Sequence, residues 1–310
     1  SRIARLGERH CGRCGQHRTG RRQQTTHLEA EFHPSAVLST SALRLEPLGP
    51  DNLTEAGLFL ARAPIENVFL QTVVATGAQQ VVVARDPAGA VRGVVYDGPH
   101  MVLAVDEPEI AAIFAPAKPR RFAPRMIVGP RQAVEQFWAR ARRNFPQPSA
   151  IRASQPLYAV RRGGLRGSRD DAPAARAGMA ESGELATHAA RMSAGELGGN
   201  PARVDTAFRK RIRGLIEGGR FWRVRESGAL VFQCYLGPQN EMTVQVQGVW
   251  SPPEARGCGR SQRAFGAICD LLLDEHPALS LFVNDFNTKA IALYERVGFE
   301  RVGEFASILF

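Results

Sequence analysis

Hydrophobic positions along the chain fall into two runs of strand and helix patterns, separated by a polar stretch rich in glycine and arginine. The first run opens at 43–48, where Leu43, Leu45 and Leu48 alternate with polar neighbours and predict a strand. Gly49-Pro50-Asp51-Asn52 breaks that pattern, and Asp51 or Asn52 can cap a helix running to about Ala63. Short β-branched segments at 81–84 and 93–96 flank Asp86-Pro87-Ala88-Gly89, a hairpin signal. A strand at 101–105, a helix at 107–114, a strand at 126–129, a helix at about 131–143 and a short strand at 155–160 complete an α+β unit.

The second run begins near Gly183. It predicts helices at about 183–195 and 204–217, strands at 220–226, 229–236 and 241–250, and a long helix over 259–274. A strand at 279–283, a helix at 288–296 and a closing strand at 299–309 follow. Between the runs, residues 161–177 read as a linker, with Arg-Arg-Gly-Gly followed by Gly-Ser-Arg-Asp-Asp and Ala-Pro-Ala-Ala. The expected organisation is a basic disordered tail at 1–40, a first domain at 41–162, a linker at 163–178 and a second domain at 179–310.

Composition narrows the classes of function. With 310 residues and a 44% hydrophobic share, the chain can bury two cores. It contains no run of about 18 apolar residues and no apolar segment behind its basic N-terminus, so neither a membrane span nor a signal peptide is expected. Five cysteines without a framework spacing agree with a cytoplasmic location. The net charge of +10 weakens as a nucleic-acid signal once it is divided. Residues 166–310 hold eighteen basic and seventeen acidic side chains, so the excess lies in the tail and the first domain. His10, Cys11, Cys14 and His17 invite a zinc site, but no second Cys-x-x-Cys completes a ligand set, and no metal is expected.

The densest chemistry lies at 249–261. An apolar strand ending in Val249-Trp250 runs through Ser251-Pro252-Pro253 into Arg256-Gly257-Cys258-Gly259-Arg260-Ser261 and then into an amphipathic helix. Glycines let bare backbone N–H groups approach an anion, and the helix aims its positive end at the same place. Arg256 can neutralise phosphate charge, and the Ser261 hydroxyl can donate to phosphate or cap the helix. By itself this is also what an ordinary strand-to-helix turn looks like.

The stretch resembles the acetyl-CoA signature of the GNAT N-acetyltransferases, Gln/Arg-x-x-Gly-x-Gly/Ala, with Ser261 where Gly or Ala is usual. Downstream, Asn287-Thr288-Lys289-Ala290-Ile291-Ala292-Leu293-Tyr294-Glu295-Arg296-Val297-Gly298-Phe299 is similar to the other half of that signature, Asn-x-x-Ala-x-x-Leu-Tyr-x-x-x-Gly-Phe. The resemblance implies an α+β fold of tandem GNAT-like domains, each a mixed, mostly antiparallel sheet flanked by helices. It also implies acetyl-CoA as co-substrate, with Val249, Trp250 and the loop Arg256, Gly257, Cys258, Gly259, Arg260 and Ser261 holding pantetheine and pyrophosphate. Asn287 would contact CoA, and Tyr294 would lie near the thioester sulfur as general acid. A base for the acceptor amine is sought among carboxylates: Glu241 at the start of the 241–250 strand, and Asp285 after the 279–283 strand. Gly248 is a candidate bulge in the same strand.

The motifs cover about 183–310. The first domain lacks both blocks, and its 43–70 segment is similar to the N-terminal part of a bacterial, mainly actinobacterial, two-domain group with a worn GNAT fold. One active site is therefore expected. The implied activity is acetyl transfer to an amine of a small molecule or peptide, with a homodimer possible and neither membrane nor nucleic acid as partner. Two other readings stay open: a non-catalytic acyl-CoA-binding regulatory module, and a glycine-type N-acyltransferase that takes longer acyl groups.

Overall fold

The computed structural model describes residues 42–120, 122–167, 172–197, 206–257 and 259–310. The expected tail at 1–40, its Cys/His cluster and Cys258 lie outside the described residues.

The first half builds an antiparallel meander from β1 (Arg44–Pro47), β2 (Val81–Arg85), β3 (Val91–Asp97) and β4 (His100–Val105), and β5 (Met126–Pro130) pairs parallel to β4. The second half repeats this plan. A meander of β7 (Ala174–Arg176), β8 (Phe221–Glu226), β9 (Ala229–Gln239) and β10 (Val244–Trp250) is followed by β11 (Ala278–Phe282), parallel to β10. The two remaining strands are exchanged between the halves. β6 (Ala150–Arg161) leaves the first half to pair with β11, and β12 (Glu300–Leu309), at the end of the chain, pairs with β5. β6 and β12 also pair with each other over their length, which fuses everything into one twelve-stranded sheet. The expectation of two mixed, mostly antiparallel sheets flanked by helices holds, and the exchange joins them.

Helices cover both faces because strands with apolar residues on both sides must be buried on both. In the first half, α1 (Leu53–Ala61) and α2 (Val68–Ala75) pack Phe59, Leu60 and Leu70 against Val83, Val94, Leu157 and Phe305. On the opposite face, α3 (Arg131–Ala141) and a 3-10 turn at Pro108–Phe114 pack Phe137 and Phe114 against Leu103, Ile127 and Ile308. Phe305 and Ile308 of β12 lie in the first half's core, and Tyr158 and Val160 of β6 lie in the second half's, so each half's core needs residues from beyond it in sequence. In the second half, α4 (Ser182–Leu197) and α5 (Thr206–Glu217) bury Leu185, Ile212 and Ile216 with Phe221. Across the sheet, α6 (Arg260–Glu275) and α7 (Thr288–Val297) frame a stack in which Phe265 lies 5.3 Å from Phe232 and 5.6 Å from Phe299, centroid to centroid.

Several elements depart from the sequence expectation. α2 lies where the sequence pattern gives no element: its N-cap Asn67 makes no side-chain cap hydrogen bond and donates instead to the Leu60 carbonyl at 3.1 Å, and tertiary packing makes the helix. The 107–114 segment is a 3-10 turn led by Pro108. β6 has twelve residues where six were expected, and β7 forms inside the expected linker.

Two features of β10 position the site. It pairs with β11 only at Val244↔Leu279 and Gln245↔Ser280, after which the two strands part. Its register with β9 slips between Gln247 and Trp250, at Gly248, whose φ is +64°. A Cβ at Gly248 would run into the Tyr235 ring. Gly248→Ala therefore combines left-handed strain with a clash, and a loss on the order of 3 kcal/mol is expected. A urea denaturation midpoint would read it, and a loss under about 0.5 kcal/mol would contradict the bulge. The exchange makes a second prediction. Urea unfolding followed separately by Trp138 in the first half and by Trp222 and Trp250 in the second should give coincident transitions. Two resolved midpoints would contradict the shared core.

Candidate active site

The loop after β10 folds as its composition demands. Pro252 and Pro253 end the strand, and a 3-10 turn at Pro253–Ala255 carries the chain to Arg256. Gly257 (φ +88°) and Gly259 (φ +72°) then take left-handed conformations, and Gly259 is the N-cap of α6. Nothing lies within 4 Å of where a Cβ of Gly257 would be, so the backbone is open on that side. The Arg260 N–H donates to the Gly257 carbonyl at 3.3 Å and the Arg263 N–H to that of Gly259 at 3.0 Å, and the positive end of the helix dipole beside the open Gly257 backbone makes this a place for an anion. The Ser261 hydroxyl lies 2.9 Å from that of Ser251, which ties the helix start to the strand end.

A cavity of about 720 Å³ runs from this loop between α6 and α7. Arg191, Arg256, Lys289 and Arg296 stand on its walls, together with Val249, Trp250, Ser261 and Asn287. A second cavity, about 200 Å³, occupies the gap where β10 leaves β11. Its lining includes Tyr235, Gln247, Gly248, Phe282 and Tyr294. Met192, Val249 and Asn284 line both cavities, so the two meet there. In the first half the corresponding parallel pair, β4 and β5, runs together from His100↔Met126 to Val102↔Val128. There Gly129 of β5 packs so closely on β4 that a Cβ would lie 2.8 Å from the Leu103 carbonyl oxygen.

The structure brings Val249, Trp250, Arg256, Gly257, Gly259, Ser261 and Asn287 to the large cavity and Tyr294 to the small one. Arg256 is oriented by its own neighbours: Nε donates to the Ser251 carbonyl at 3.0 Å, and the guanidinium lies 5.9 Å from the Trp250 ring centroid. Asn287 is the N-cap of α7 and accepts from the Ala290 N–H at 3.3 Å. Tyr294 is buried among Tyr158, Phe265 and Phe299, with ring centroids 5.9–6.3 Å away. Burial and a hydrogen bond to Glu295 push the neighbouring Tyr158 phenol upward, so it stays protonated.

Three expected residues are placed elsewhere. Arg260 turns away to Glu226, with Nε and Nη2 donating to one carboxylate oxygen at 2.9 and 2.7 Å. Glu241 sits in the exposed β9–β10 turn and lines a separate groove beside α1 and α2. That turn is held against α2 by Thr72, which donates to the Gln239 carbonyl at 2.9 Å, so Glu241 lines that groove and neither cavity. Asp285 is exposed and lines neither cavity, although Asn284 and Phe286 on either side of it do.

The sequence reads His188, on a helix with Leu185 and Met192, as a surface or packing residue and assigns Asn284 no role. The His188 ring lies 4.9 Å from Trp250, where burial and the nearby Arg191 hold its imidazole toward neutrality. Cys234 and Cys269 are buried, and burial pushes both thiols far up, which removes them as nucleophiles. Among the described residues no cluster of His, Cys, Asp and Glu could hold a metal ion, and no helix is long and apolar enough to cross a membrane.

Residues 81–177 match a Domain of unknown function (DUF4081), and residues 198–299 match the Acetyltransferase (GNAT) family. None of the proteins with curated descriptions matches the chain. Among solved structures, an acetyltransferase from the GNAT family of Colwellia psychrerythraea is similar at 10% identity and a TM-score of 0.55, over 86% of this chain and 99% of that one. A GCN5-related N-acetyltransferase from Sphaerobacter thermophilus is similar at 13% identity and a TM-score of 0.51, over 88% and 96%. A Drosophila malonogaster protein is similar at 11% identity and a TM-score of 0.55, over 86% and 98%. These likenesses span both halves of the fold, and the sequence match falls on the half that carries the glycine loop and the parted strands. Residues 198–299 are thus a GNAT-family acetyltransferase domain, and the chain that carries them is of the acyltransferase class.

Proposed function

We propose that the chain transfers an acetyl group from acetyl-CoA directly to an amine. The observation that carries this is the parting of β10 from β11 after Gln245 and Ser280, beside a glycine loop that opens a cationic cavity. Unpaired backbone groups on the β10 side of the gap suit a pantetheine arm bound as an added strand. Arg256 and the N-terminal turn of α6 would hold the pyrophosphate, and Asn287 the pantetheine end. Tyr294, which lines the gap, would return a proton to the departing thiolate. A gap of about 200 Å³ favours a short acyl group over a long one, since it must also admit the attacking amine.

Among the described residues neither cavity is lined by an Asp or a Glu. The acceptor's proton therefore leaves to solvent rather than to a fixed carboxylate. The working site belongs to the 179–310 part, to which the 41–162 part contributes β6.

Acetyl-CoA at about 100 times its Kd should stabilise the protein by about 2.7 kcal/mol, a rise of several degrees in Tm. Arg256→Ala or Gly259→Trp should remove that rise. An amine panel followed by free CoA release would identify the acceptor, and Tyr294→Phe should then lower kcat by about 10²-fold with little change in acetyl-CoA affinity. A wild-type protein whose Tm ignores acetyl-CoA would sink the proposal.

A further inference from the structure

A chain of buried amides crosses the sheet where the two halves meet. Ser307 on β12 donates its hydroxyl to Gln155 Oε1 on β6, and Gln155 Nε2 donates to Asn284 Oδ1 at 2.9 Å. The three residues are 0%, 2% and 5% exposed. They lie 129 and 152 positions apart in sequence, so only the strand exchange makes them neighbours. Asn284 lies two residues past the end of β11, the strand that parts from β10, and it is one of three residues lining both cavities. Its backbone carbonyl is fixed as well, accepting from the Asn287 N–H at 2.9 Å at the start of α7.

The direction of this chain matters. A carboxamide has one accepting end and one donating end. Gln155 occupies the accepting end of Asn284, so the donating end is left toward the junction of the cavities. A polar network of this kind, buried and satisfied, holds its members in one orientation.

We infer that Asn284 Nδ2 donates a hydrogen bond to the carbonyl oxygen of the bound thioester, and that Gln155 and Ser307 are positioning residues that keep its carboxamide from reversing. The inference rests on the acetyl-transfer reading and adds a side-chain donor to it. A preorganised donor aimed at a carbonyl strengthens as negative charge grows on that oxygen. The exchanged strand β12 thereby acts on the site without reaching it: it sets the orientation of the Gln155 amide, which sets that of Asn284.

The test is equilibrium titration of acetyl-CoA and of CoA in parallel, by calorimetry at about pH 8, well above the ordinary carboxylate pKa. CoA has the same nucleotide and pantetheine but no acyl carbonyl. Gln155→Glu keeps size and shape, yet its carboxylate only accepts. Asn284 must then turn its amide nitrogen toward Glu and present Oδ1 to the junction. Asn284→Asp removes the donor directly. Each variant should weaken acetyl-CoA about tenfold and leave CoA within about twofold. Ser307→Ala, which loosens Gln155 without reversing it, should fall between them and the wild type. Equal weakening of both ligands would mean a structural role only, and unchanged affinity for both would mean that Asn284 does not touch the acyl group. Either result overturns the inference. If the wild type binds neither ligand, the acetyl-CoA reading itself fails, and the inference falls with it.

Discussion

β10 and β11 run together for two residue pairs and then separate, and the sheet must tolerate that separation. A parting strand pair exposes unpaired backbone N–H and C=O groups inside the protein, which is costly unless a ligand or solvent satisfies them. The Gly248 bulge bends β10 away on one side. On the other side, β11 is anchored to β6 through five consecutive pairs, Ala278↔Arg161 to Phe282↔Leu157. The gap is therefore held open by rigid neighbours rather than by a mobile loop. The glycine loop at 256–261, Asn287 and Tyr294 all take their places relative to it.

The strand exchange supplies that rigidity. If β6 stayed with its own half, β12 would take its place beside β11, and β11 would be braced only by strands of the second half. Instead β11 sits inside a twelve-stranded sheet. The first half keeps the order of elements of the second but closes its own parallel pair at Gly129 and Leu103. It serves as a scaffold for the site next to it. The same junction brings Ser307, Gln155 and Asn284 into line, so the first half also sets a polar group within the site.

Local chemistry was the part legible in the sequence. The glycine loop and the helix carrying Tyr294 depend on residues within a turn or two of each other, and they form where the pattern places them; Asn287 caps that helix at its start and Gly298, at φ +114°, at its end. Non-local pairing was not legible. Nothing in the alternation of 299–309 says that this strand joins the first half, because both sheets offer equally apolar neighbours. Arg260 looked like a phosphate ligand until Glu226, 34 residues away, took its guanidinium. Glu241 has the right chemistry for a base, but beside Pro238-Gln239-Asn240 it also reads as a solvated turn residue, and the structure has it in a turn drawn to α2 by Thr72 and to the segment before α2 by Asn240, which donates to the Pro64 carbonyl at 2.8 Å. Asn284 drew no attention because an Asn after a strand is ordinary. Its partners lie more than a hundred residues away.

The central claim is that the gap between β10 and β11 is a binding surface for an acyl-CoA. Hydrogen–deuterium exchange with and without acetyl-CoA tests it most directly, because it reads the backbone amides that the gap leaves unpaired. The account predicts added protection at 246–250 and 256–261, with β4 and β5 of the first half unchanged. Protection confined to the first half, or spread evenly over the whole sheet, would contradict it.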